Sequence, residues 1–147
     1  YDVFKNFMTA CVLLISLSSR AEEIPEFRSI DAIRGYRAKV FTAFHVAQYK
    51  LYVNEGKGTP SEVAAYQAVV LDVIALQRKV SSLSLRKDLG KDQESCDSWF
   101  GKYMSQIASA KIMSEPPFAR SDINATSKLM GDIEGLLRLP LQESVFK

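Results

Sequence analysis

Residues 25–56 read PEFRSIDAIRGYRAKVFTAFHVAQYKLYVNEG, and the fold turns on this stretch. Ile30, Ile33, Val40, Phe41, Phe44 and Leu51 recur at the three- and four-residue spacing that lines one side of an α-helix. Pro25 suits a first helical turn, where a missing N–H costs nothing, and Gly56-Lys57-Gly58 offers a left-handed stop. The expected helix is roughly 30 residues, or about 45 Å, long. Arg37 and Gln48 fall inside its apolar stripe, so the buried side carries a polar flaw.

Toward the C-terminus, Thr59-Pro60-Ser61-Glu62 is the sharpest local signal. Thr59 caps the next helix, Pro60 fits its first position, and Glu62 completes a capping box. Val63, Tyr66, Val70, Val73, Ile74 and Val80 then form a broad apolar face that includes Gln77, which predicts a central helix. So short a connection makes the first two helices antiparallel neighbours. A third helix, capped by Asp92 or Ser95, places Cys96, Trp99, Phe100, Tyr103, Ile107 and Ala110 on one side and is expected to end at Pro116-Pro117. A fourth starts at Ser121 or Asp122, turns Ile123, Met130, Ile133 and Leu137 inward, and breaks or kinks at Pro140, with a frayed tail to Lys147. Four amphipathic helices without an alternating strand pattern predict an all-α, up-and-down four-helix bundle.

Residues 1–21 differ in kind. Lys5 precedes the apolar run from Phe7 to Leu17, and Ser19 and Ala21 present small side chains before Glu22, the anatomy of a secretory signal peptide. The run is about half the ~20 residues that span a bilayer, so no stable membrane span is expected after cleavage. Met8-Thr9-Ala10-Cys11 is similar in composition to a lipoprotein box, but here the apolar run follows the cysteine instead of preceding it. The expected division is a signal peptide over 1–21 and one helical domain over 22–147, with the mature protein periplasmic or secreted. That domain keeps one cysteine, Cys96, which has no intramolecular partner in an oxidising compartment. Packing alone must then hold the fold.

A net charge of +2, with cations scattered among anions, gives no nucleic-acid footprint. One histidine, His45, and one mature cysteine make no zinc set, and Cys-x-x-Cys-His is absent, so no metal or other cofactor is expected. Two groups of residues remain as candidate sites. Arg37, with Gln48, Gln77 and Glu134, forms a polar network in or beside the core on helical rotation, with an Arg37–Glu134 pair at its centre. Such a group either stabilises the bundle or clamps a small anionic ligand between helices. Tyr36, Tyr49, Tyr52 and Tyr66 cluster near the turn between the first two helices. Tyrosine serves protein interfaces well, because one end is apolar and the other wet. The leading expectation is therefore a non-enzymatic binding, accessory or adaptor module whose partner is another protein. The competing one is a small helical enzyme or anionic-ligand binder built on Arg37.

Overall fold

Ser29, rather than Pro25, opens the first helix in the computed structural model, which describes residues 24–85, 93–137 and 146, without the side chains of 84–85, 93–100 and 136–137. The Ser29 hydroxyl accepts the Ala32 N–H at 3.1 Å, and α1 runs Ile30–Val53. A side-chain acceptor satisfies an N–H that the start of a helix leaves open, and Pro25 offers none. Residues 24–28 instead form a strap outside regular secondary structure. Phe27 is buried edge-on to Tyr36, with ring centroids 5.6 Å apart. Lys79 on the second helix holds the Glu26 carboxylate at 2.6 Å and reaches the Ile24 carbonyl at 3.5 Å.

The C-terminal end of α1 closes as the glycine signal predicts. Gly56 takes a φ of +78° and donates its N–H to the Leu51 carbonyl at 2.8 Å. Its own carbonyl accepts the Phe118 N–H at 2.9 Å, which ties this turn to the entry of the last helix. A Cβ here would lie 1.8 Å from the Phe118 carbonyl oxygen, so both the dihedral and the backbone approach require glycine.

The capping box then forms in both directions. Glu62 N–H donates to the Thr59 hydroxyl at 3.1 Å, and Thr59 N–H donates to the Glu62 carboxylate at 3.0 Å. That backbone donor holds the Glu62 carboxyl below its ordinary range. Helix α2 spans Pro60–Leu85 and packs against α1 and both later helices, which explains why it buries residues on several sides, from Val63 and Tyr66 through Leu76 to Leu83.

Helix α3, Gln93–Ser109, stops well before the prolines. Lys111 turns left-handed at φ 57°, and the Ser114 hydroxyl donates to the Lys111 carbonyl. Gln67 on α2 latches this turn by donating to the Ile112 and Ser114 carbonyls at 2.9 and 3.3 Å. The segment after this early turn buries Ile112 and Phe118 in the core, contacts to which the local proline signal is blind. Helix α4, Arg120–Leu137, begins one residue ahead of expectation and buries Ile123, Thr126, Leu129, Met130 and Ile133. The tail expectation also needs correction at Phe146, which packs partly buried against the core. Pro140 and residues 1–21, with the proposed signal cleavage and Cys11, lie outside the described residues. The described chain is all-α, with four helices, and none of these is long and apolar enough to cross a membrane.

Candidate functional site

The four residues of the expected Arg37 network lie on three helices, Arg37 and Gln48 on α1, Gln77 on α2 and Glu134 on α4. Arg37 on α1 and Glu134 on α4 are both half-buried, and each is engaged in contacts. Gln77 is buried, but its amide donates to the Ser81 hydroxyl at 2.9 Å, one turn further along its own helix. Gln48 donates to the Ser127 hydroxyl at 3.3 Å and so bridges α1 to α4, while its Oε1 is buried with no hydrogen-bond partner. The two glutamines thus spend their amide donors on serines, which the sequence reading had not included. Ser81 was legible as the i+4 neighbour of Gln77; Ser127 carried no local signal, since it meets Gln48 only through helix packing.

Two open grooves lie elsewhere. One of about 430 Å³ runs between α3 and α4 past Lys102, Gln106, Asp122, Thr126 and Leu129. The other, about 610 Å³, lies beside the start of α2 and is lined by Pro60, Val63, Gln67, Met113 and Glu115. Arg37, Gln48, Gln77 and Glu134 line neither groove. Among the described residues no group of three His, Cys, Asp or Glu side chains is placed to hold a metal ion.

The tyrosines separate according to burial. Tyr66 belongs to the core, with no exposed surface, and so leaves the expected interface. Its ring meets Phe44 edge-on at 6.1 Å and lies 6.4 Å from Phe118, because the apolar face of α2 points it between α1 and α4. The Tyr66 hydroxyl is buried near Thr126 without a hydrogen bond, and the Thr126 hydroxyl donates to the Asp122 carbonyl at 3.0 Å. Burial pushes the Tyr66 phenol up to about 12, and the nearby Thr126 hydroxyl opposes part of that rise. Tyr36 is half-buried against Phe27, and Tyr52 is half-buried beneath the Arg120 guanidinium, 5.0 Å from its ring centroid. Tyr49 alone of the four stands clear, at 68% exposure.

Tyr49 has apolar company. Val46 and Val53 are each 50% exposed, and these three are the exposed large hydrophobics among the described residues. At about 100° of rotation per residue they share one side of α1, opposite Phe44 and Leu51. Gly35, Ala38 and Thr42, all exposed, continue the stripe toward the N-terminus, and a Cβ at Gly35 would meet nothing within 4 Å. Lys39 and Lys50 are exposed along one edge of it. The sequence reading missed Val46 and Val53. Their spacing with Tyr49 was the available signal, a second apolar stripe half a turn from the first. No family model, curated protein or solved structure matches this chain.

Proposed function

We propose that this protein is an exported binding module, an up-and-down four-helix bundle that presents the outward side of α1 to another protein. The observation that carries this reading is the concentration of exposed large hydrophobics at 46, 49 and 53, on one side of one helix. Scattered exposed apolar residues need no explanation, but a contiguous stripe of them marks a contact surface. Tyr49 is the anchor, since a tyrosine contributes large area with few rotatable bonds and a polar tip. The binding role is non-enzymatic. Residues 1–21 direct export and are removed ahead of Glu22, which leaves the bundle in the periplasm or outside the cell.

A photo-reactive amino acid at position 49 tests the docking surface in the expressing cell. A discrete crosslinked adduct is expected from position 49 and from 46, and none from Asn124 on the exposed side of α4. Equal labelling from 49 and 124 refutes the assigned face. Cell fractionation with N-terminal sequencing tests export, with Glu22 expected at the start of the exported form and an intact leader inside the cytoplasm as the opposing result.

A further inference from the structure

We infer that Asn124 is an acceptor of N-linked sugar, modified while the chain is still unfolded and left on the outward side of α4 once the bundle closes. Residues 122–126 read Asp-Ile-Asn-Ala-Thr, an Asn-x-Thr sequon with no proline between its ends. Asp122 stands two residues ahead of Asn124, where the bacterial form of this acceptor sequence carries an acid. The inference is separate from the α1 face and draws on the proposed export only to bring the chain to a transferase. The transfer needs one co-reactant, an oligosaccharide joined to a polyprenyl diphosphate. Asn124 Nδ2 bonds to the anomeric carbon and the bond from that carbon to the diphosphate oxygen breaks. The lipid diphosphate departs with the electron pair, and one Nδ2 proton passes to a carboxylate of the transferase.

Helix α4 divides the sequon between two sides. Asn124 is exposed, while Thr126, about 200° further round the helix, is buried. The surface beside Asn124 is open: Ala125 and Lys128 are exposed, and a Cβ on Gly131, two turns along the same side, would meet nothing within 4 Å. A sugar on Asn124 therefore displaces no packed side chain. The hydroxyl by which a transferase reads the sequon is turned inward instead, and donates to the Asp122 carbonyl at 3.0 Å. An acceptor must lie extended for its Asn and Thr to be read together. Extension here draws both Thr126 and Ile123 out of the core, and it breaks the bond from the Ile123 N–H to the Ala119 carbonyl at 3.1 Å. The folded helix thus shows the nitrogen that receives the sugar and hides the hydroxyl that marks it. Transfer precedes the docking of α4, and folding then closes the site.

The test uses cells that carry a bacterial oligosaccharyltransferase and its lipid-linked oligosaccharide, with intact mass as the readout. The full chain is compared with a form in which an established export leader replaces residues 1–21. Both are expected to gain one glycan, which Asn124→Gln removes with no change in the circular-dichroism melt. Thr126→Ser is expected to keep the adduct, and Asp122→Asn to lose most of it. An adduct on the leader-driven form alone refutes export by residues 1–21 and leaves Asn124 as the acceptor. An adduct on neither form, or one that survives Asn124→Gln, overturns the acceptor assignment, and an undiminished adduct in Asp122→Asn overturns the role of Asp122. The order of events is read on purified, unmodified chain given the same enzyme and lipid-linked sugar. Phe44→Ala, which loosens the core without touching the sequon, is expected to accept sugar at least about tenfold faster than the folded parent, because modification waits on local opening. A folded parent modified at the same rate as Phe44→Ala overturns transfer before folding.

Discussion

The two sides of α1 carry similar chemistry and meet opposite fates. On the inward side Phe44 and Leu51 are sealed against Tyr66 and the neighbouring core, beside a turn whose backbone is tied to Phe118. On the outward side Val46, Tyr49 and Val53 meet no other element of the described chain closely enough to be covered. Apolar surface stabilises a fold by about 25 cal/mol for each Å² removed from water, so an uncovered residue contributes little to folding. The comparison teaches that α1 has two apolar stripes, of which packing covers only one. One is buried in the core, and the other leaves its apolar surface in water.

Four measurements can break or sharpen that contrast. Phe44→Ala should show the largest effect, a loss of about 3–5 kcal/mol in urea denaturation, because it empties a closed site between α1 and α2. A loss near zero would mean that the inward side is not the core. Gly56→Ala should cost roughly 2–5 kcal/mol, through a left-handed dihedral and a backbone collision with Phe118. If it instead costs under about 0.5 kcal/mol, the tie between the α1 turn and α4 does not hold.

Tyr66→Phe should leave stability at pH 7 unchanged or raise it by up to about 1 kcal/mol, since the lost hydroxyl had no hydrogen bond to give up. The alkaline limb carries the sign. The native phenol titrates near 12 and the unfolded one near 10, so this contribution is intact below pH 10 and lost as pH rises from 10 toward 12. Denaturation at pH 11 should therefore favour Tyr66→Phe over the parent. A smaller alkaline loss persists in the variant from Tyr103, whose phenol is also raised by burial and by Asp132. The smallest effect belongs to the outward side: Tyr49→Ser should change stability by less than about 0.5 kcal/mol while abolishing association. A large loss of stability there would erase the distinction between the two sides.

The legible parts of this molecule rest on local chemistry. The capping box at Thr59 and Glu62 needs only residues three apart, and the stop at Gly56 needs only a dihedral that glycine tolerates. The inward stripe of α1 was equally clear, because helical periodicity sorts side chains without knowledge of the neighbours. Ser29 was missed as a cap because Pro25 drew the boundary back, and the strap at Phe27 is fixed by contacts with Tyr36 and α2 that lie far off in sequence. The same limit governs the candidate sites. Arg37 and Gln48 could be placed on a helix face, but Ser127 became the partner of Gln48 only when α4 packed beside α1.

What the sequence by itself determined is the all-α class, the inward faces of α1 and α2, the central rank of α2 and the chemistry of the turn between them, since each follows from local spacing. Tertiary structure decided which tyrosine is core and which is surface. Tyr66 and Tyr49 carry the same side chain, and only the helices packed around Tyr66, with nothing described over Tyr49, separate a buried phenol from an exposed one. Exposure is a property of neighbours, and neighbours distant in the chain leave no mark on local periodicity.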